Sequence, residues 1–132
     1  KKGLEIEENE IKEALKERKV WLDEVNTLFK KFDFLTMPSA QLFPFDKNIN
    51  FPSLINGTEM DSYHKWMEIV TIPSLLGLPV ISVPVGFSKT GLPMGMQLIA
   101  KKGDDLKLVA FAKRYEEMFE ASRITPDLTK IS

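Results

Sequence analysis

No cysteine occurs among the 132 residues, so the chain holds no disulfide framework, no thiolate metal site and no cysteine nucleophile. Histidine occurs once, at His64. Any metal site would therefore fall to carboxylates, and the adjacent Asp104 and Asp105 suit the start of a helix better than an ordered cation cage. A surplus of positive charge is missing too. Lys and Arg number 18 against 19 Asp and Glu, for a formal net charge of -1, and such a balance does not neutralise a nucleic-acid backbone. The longest apolar stretch, Ile69 to Phe87, is broken by Pro73, Gly77, Pro79, Pro84 and Gly86 and carries Thr71, Ser74 and Ser82, which makes it a poor lipid-spanning helix. Lys1 to Glu5 lead into acidic residues rather than an apolar signal core. The expectation is a cytoplasmic protein with no metal, no cofactor, no nucleic-acid partner and no membrane segment.

What is present suggests one body, for a chain of this length buries roughly two thirds of its unfolded surface. Charge is uneven. Residues 1 to 35 hold 8 Lys or Arg and 9 Asp or Glu, whereas residues 69 to 100 hold only Lys89, so a solvated first element and a buried middle are expected. Ile11, Ala14, Leu15, Trp21, Leu22, Val25, Leu28, Phe29 and Phe32 recur at spacings of three and four, predicting a helix from about Asn9 to Phe32. Arg18 falls within that stripe, its stem covering apolar surface and its guanidinium reaching outward. Phe34 to Met37 reads as a short buried strand stopped by Pro38. Ser39 to Thr58 reads as a wrapping loop anchored by Phe43, Phe45 and Phe51, with Asn56-Gly57-Thr58 a turn rather than a glycosylation acceptor. Tyr63, Trp66, Met67 and Val70 mark a second helix, capped by Asp61 and ending before Pro73, which opens another short turn closed by Gly77. Val80 to Phe87 and Met94 to Ala100 read as antiparallel core strands around a turn at Ser88-Lys89-Thr90-Gly91. A last helix from about Asp105 to Glu120 carries Leu106, Val109, Ala110, Lys113, Tyr115 and Phe119, with Leu108, Ala112 and Met118 broadening its buried face. Residues 1–9 and 121–132 read as tails of a single domain over 1–132.

Chemistry is sparse. Asp61, Ser62 and His64 lie one or two positions apart, where helix neighbours do not face each other, so they form no triad. Ser82 lacks the Gly-x-Ser-x-Gly elbow. Gly86, Gly91 and Gly95, interrupted by Pro93, lack the lysine and hydroxyl spacing of a phosphate loop. Trp21, Trp66, Met94 and Met96 read as core packing.

The run Pro73-Ser74-Leu75-Leu76-Gly77-Leu78-Pro79-Val80-Ile81-Ser82-Val83-Pro84-Val85-Gly86, continued by Gly91-Leu92-Pro93-Met94-Gly95-Met96-Gln97-Leu98-Ile99, resembles the carboxyl-terminal region of the amidase signature family. Upstream, Asp33-Phe34-Leu35-Thr36-Met37-Pro38 resembles that family's Asp-x-Leu-x-x-Pro strand, with Arg18 in the preceding helix. The resemblance implies an α/β chain, the carboxyl-terminal fragment of an α/β/α amidase-signature fold with a mixed central sheet. It also implies hydrolysis of a carboxamide to acid plus ammonia or amine, or ammonia release from glutamine in an amidotransferase A-type subunit. The family's Ser, cis-linked Ser and Lys sit in an upstream Gly-Gly-Ser-Ser segment and a preceding strand that this chain lacks, so no catalytic residue is assigned here. Ser74 stands where many relatives have Asn, and Ser39 where Thr is common. Arg18, Asp33, Pro38, Gly77, Pro79, Pro84, Gly86, Pro93, Gly95 and Gln97 are expected to shape the sheet and pocket. The expected partners are the upstream catalytic part of the same parent protein, a small-molecule amide in the intact enzyme, and further copies through self-association. The competing expectation is a non-catalytic protein-interaction module.

Overall fold

The computed structural model describes residues 2–120 and 124. After a 3-10 turn over Lys2–Glu5, helix α1 spans Glu8–Leu28. Its start is fixed by Glu10, whose carboxylate accepts the Glu7 backbone N–H at 2.8 Å. Along its wet face Lys12 pairs with Glu8 and Lys19 with Asp23, both at 2.7 Å, each worth about 0.3–0.5 kcal/mol at such exposure. The apolar period continues to Phe32, but the helix does not. Lys30 and Lys31 bond three residues back, to Thr27 and Leu28, a tightening that closes the last turn.

Strands β1 (Phe34–Pro38), β4 (Val80–Phe87) and β5 (Pro93–Ala100) form one sheet in the order β1-β5-β4, with β5 central and both pairings antiparallel. The expected β4–β5 hairpin is present. Ser88 builds its turn by accepting the N–H groups of Thr90 and Leu92 at 3.2 and 3.0 Å. Pro38 ends β1 inside the ladder, opposite Met96. A proline is admissible there because β1 is an edge strand. The register shifts between Pro84 and Gly86, where Gly86 takes φ 141°, a bulge that bends β4 at that end.

Alternation along the strands divides the core in two. Val83, Leu98 and Ala100 face helix α4 (Asp105–Phe119) through Leu108 and Ala112, with Phe34, Ile81, Met96 and Tyr115 at the margin. On the opposite face Ile99 meets Leu76 and Leu78, joined by Leu22, Val25, Phe29, Leu35 and Met37. Helices thus cover both faces of the sheet, an α/β/α arrangement. The mixed sheet implied for the whole domain is represented here by its antiparallel stretch.

Several expectations need correction. Trp21 is 48% exposed and no residue of α1 is fully buried, because only Leu22, Val25 and Phe29, near the helix's end, reach the core. Leu106 is 86% exposed, and Val109, Met118 and Phe119 also face outward. The stripe that packs is Leu108, Ala112 and Tyr115, at the i, i+4, i+7 spacing. Within the expected wrapping loop, β2 (Leu54–Ile55) pairs with β3 (Thr58–Glu59), and Asn56 and Gly57 at φ 47° and 80° make the hairpin turn. Phe45 packs edge-on against Trp66 and Phe51 against Tyr63, but Phe43 is exposed.

The second helix is broken at Met67 into α2 (Tyr63–Trp66) and α3 (Glu68–Leu76), and Ser62 rather than Asp61 holds the N-cap position. Pro73 lies inside α3 instead of opening a new turn. Gly77 closes α3 in the left-handed region at φ 67° as its position predicts, with Leu78 N–H bonding the Pro73 carbonyl at 3.1 Å. The expected tail over 121–132 lies, Ile124 apart, outside the described residues.

Candidate functional site

The singled-out residues gather at the two ends of the sheet, on the order of 15 Å apart by strand rise, with Gln97 between them. At one end, where β1 and β4 begin, stand Asp33, Gly77, Pro79 and Arg18. The Arg18 guanidinium donates through Nε to the Leu75 carbonyl, so it grips the end of α3 rather than reaching outward. A cation there meets the carbonyl end of the helix dipole. Asp33 accepts from Lys107 Nζ at 2.6 Å and so ties the start of β1 to α4. That hydrogen bond, reinforced by the charges of Asp33 and Asp104 and opposed by partial desolvation, holds the Lys107 ammonium above its ordinary value. Lys107 also lies 5.4 Å from the centre of the Phe34 ring, which stacks on Phe111 at 4.4 Å. The Pro79 carbonyl accepts the Ala100 N–H at 3.0 Å.

At the opposite end Ser39, Ser82, Val83, Pro84, Pro93, Met94 and Gly95 surround an open recess of about 360 Å³. Gly95 is required there by space. A Cβ on it would stand 2.5 Å from Ser39 Oγ and 3.1 Å from Ser82 Oγ. The Ser39 N–H donates to the Gly95 carbonyl at 2.9 Å, locking the end of β1 to β5. Pro84, opposite Gly95 in the ladder, offers its carbonyl to the Tyr115 hydroxyl at 3.2 Å. Neither the Ser39 nor the Ser82 hydroxyl has a hydrogen-bond partner among the described residues, and no lining residue is a base. A serine without a proton acceptor is a weak nucleophile, and no residue lining this recess supplies one.

Gln97 joins the parts. It is 4% exposed, and its Nε2 donates to the carbonyls of Pro38 at 2.9 Å and Ile69 at 3.2 Å. The Ile69 carbonyl is available because Pro73, four residues on, has no N–H to give it. One central-strand side chain thereby fastens the edge strand and α3.

Elsewhere among the described residues the other candidate triad does not assemble. Ser62 donates to Asp61 at 3.2 Å rather than meeting His64, whose ring meets Tyr63 edge-on. Trp66 is half-buried in an aromatic cluster with Phe45 and Tyr63. Its Nε1 is buried without a partner among the described residues. Among those residues no group of three His, Asp or Glu side chains could hold a metal, and no helix is long and apolar enough to cross a membrane. The Lys107–Asp33 and Tyr115–Pro84 ties and the approach of Ser39 and Ser82 to Gly95 were not legible in the sequence, because each joins residues far apart in the chain and periodicity carries no signal for such contacts.

A family model described as Amidase matches residues 4–109. The A-type subunit of the glutamyl-tRNA(Gln) amidotransferase of Rickettsia bellii (strain OSU 85-389) is 36% identical over 106 residues, covering 78% of this chain and 20% of that protein. Among solved structures, a bacterial aryl acylamidase of the amidase signature enzymes superposes with a TM-score of 0.79 at 30% identity, covering 89% of this chain and 24% of the other. The A-type subunit of the glutamyl-tRNA(Gln) amidotransferase of Thermotoga maritima gives a TM-score of 0.59 at 33% identity, covering 76% and 21%. The chain thus spans about a fifth of the length of the curated relatives it matches.

Proposed function

The chain belongs to the amidase family, and we propose that it is the carboxyl-terminal, pocket-forming portion of an enzyme that hydrolyses a carboxamide to acid plus ammonia or amine. The observation that carries this reading is the match over residues 4–109 to a chain in which the recess serines, Ser39 and Ser82, have no base beside them. In the intact enzyme a serine supplied by the rest of the protein attacks the amide carbon, a lysine and a second serine manage its proton, and backbone donors hold the oxyanion. Ammonia or the amine leaves, and water then releases the acid. This portion supplies the frame. Arg18 and Gly77 fix the turn after α3, Asp33 sets the start of β1, and Pro38, Pro79, Pro84, Gly86, Pro93, Gly95 and Gln97 shape the sheet and its recess.

A second reading, part of an amidotransferase A-type subunit, is favoured by the names of the curated relatives. The complete reading frame tests both. It is expected to encode an upstream Gly-Ser-rich segment, and its purified product to hydrolyse aryl or aliphatic amides, with loss of turnover when the serine there becomes alanine. Ammonia release from glutamine, with little hydrolysis of other amides, selects the second reading. A frame without that segment overturns both in favour of an interaction module. Cell fractionation of the product tests the proposed cytoplasmic setting.

A further inference from the structure

We propose that Asn56, at the tip of the β2–β3 hairpin, is a modification site: its side-chain amide leaves as ammonia through a cyclic imide closed by the Gly57 backbone nitrogen, and position 56 becomes aspartate or isoaspartate. The chain has five asparagines, Asn9, Asn26, Asn48, Asn50 and Asn56, and Asn56 alone is followed by glycine. That neighbour matters because the attacking backbone nitrogen must come within bonding distance of the preceding Cγ, and glycine brings no side chain to obstruct it. Asn56 and Gly57 are both exposed. A Cβ placed on Gly57 would meet nothing within 4 Å, so the imide ring has open space around it. Neither the Asn56 carboxamide nor the Gly57 N–H has a hydrogen-bond partner among the described residues, so no bond has to break before the nitrogen attacks.

The other asparagines lack one or more of these conditions. Asn9 and Asn26 lie inside α1, where the helical ladder fixes the backbone, and the N–H of Glu10 is bound to the Glu7 carbonyl at 3.0 Å. Asn48 gives both its Nδ2 and its backbone N–H to Asp46 at 2.8 Å. Asn50 precedes Phe51, whose ring packs against Tyr63. The β2–β3 hairpin, by contrast, opens easily. Each strand has two residues, and so short a ladder is marginal by itself, so local opening lets the Asn56 side chain turn toward the Gly57 nitrogen. In the reaction the Gly57 nitrogen gives up its proton and bonds to Asn56 Cγ, the Cγ–Nδ2 bond breaks, and Nδ2 takes up a proton and departs as ammonia. Water then adds to one of the two imide carbonyls and opens the ring. Addition at the side-chain carbonyl restores the ordinary backbone with an aspartate, and addition at the backbone carbonyl leaves isoaspartate, with one more carbon in the chain. One carboxamide and one water become one carboxylic acid and one ammonia. The extra carbon spoils the two-residue turn that Asn56 and Gly57 make at φ 47° and 80°, and with it the bond from the Met60 N–H to the Ser53 carbonyl at 2.8 Å that prolongs the hairpin.

Incubation of the purified chain in mildly alkaline buffer, followed by peptide mapping with mass spectrometry and by labelling with an isoaspartyl methyltransferase, tests the assignment independently of the amide hydrolysis proposed above. The other four asparagines serve as internal references, and a parallel incubation in concentrated urea gives the rate without structure. In the folded chain Asn56 should convert at least about tenfold faster than any other asparagine and within about threefold of its own rate in urea, since neither side chains nor a stable ladder protect it. Both aspartate and isoaspartate should form, and hydrogen exchange at the Met60 N–H should quicken in the isoaspartyl fraction. Gly57→Ala should slow conversion about tenfold by crowding the nitrogen. A methyl there strains the turn and favours its opening, which by itself would speed the reaction, so a slower rate reports access to the nitrogen rather than a loss of folding. Conversion in urea but not in the folded chain overturns the inference, because the hairpin then protects its own tip. Aspartate without isoaspartate overturns the imide route in favour of direct hydrolysis, and unchanged exchange at Met60 in the isoaspartyl fraction overturns the effect on the hairpin.

Discussion

Gln97 shows how much one side chain decides in a small sheet. Its two donated bonds satisfy carbonyls on elements 59 and 28 residues away in sequence. Gln97→Leu keeps much of the packing volume and abandons both acceptors, at about 1–3 kcal/mol for each that stays dry. Urea unfolding should register the loss, and hydrogen exchange should show α3 and the end of β1 loosening together. Gly95 is limited by room instead. Gly95→Ala should cost about 1–3 kcal/mol through overpacking, and a second change, Ser39→Gly, should restore part of the denaturation midpoint because it removes both the Oγ and the Cβ that the new methyl meets. Lys107 carries a pH signature. Because Asp33 raises its folded value above the ordinary 10.5, its contribution is present in full below the unfolded value and is lost as pH rises through the folded one. The midpoint difference between the natural chain and Lys107→Met should therefore hold steady across neutral pH and shrink above about 10.5.

At the scale of elements, the β4–β5 hairpin is the scaffold on which the helices rest. Leu98 is 1% exposed and Ile81 lies opposite it, whereas Lys89 is exposed in the turn between the strands. Ile81→Asp and Leu98→Asp should each lower stability by several kcal/mol, on the order of the penalty for an unpaired buried carboxylate, with Leu98→Asp the more severe. Lys89→Ala should leave the denaturation midpoint within about 0.5 kcal/mol of the natural chain. Helix α3 illustrates the opposite case. A proline inside a helix breaks the ladder by leaving one carbonyl without its donor, yet α3 continues through Pro73 because Gln97 replaces the missing N–H at Ile69.

For the whole molecule, the chemical consequence of the described structure lies in the serines at the recess. The serines at the recess have no base beside them, so the purified chain should show no turnover against a panel of aliphatic and aromatic amides, and a fluorophosphonate probe should leave Ser39, Ser62 and Ser82 unlabelled. Turnover that follows the chain through purification would contradict this. A body with apolar helix faces on its outside also has little long-range charge repulsion, given its net charge of -1.

The sequence by itself determined what is local. Strands β4 and β5, their turn and the left-handed stop at Gly77 were legible because β-branched runs, turn residues and glycine act over a few positions. So was the resemblance carried by Pro73 to Gly86 and Gly91 to Ile99. Tertiary structure alone decided which of two apolar stripes on α4 packs, because Leu106 and Leu108 are equally apolar and only the position of the sheet chooses between them. It also decided that Trp21 stays wet, that Arg18 grips Leu75 and that Ser39 closes over Gly95. Each of these depends on contacts between residues far apart in the chain, and periodicity carries no information about where a distant element will lie.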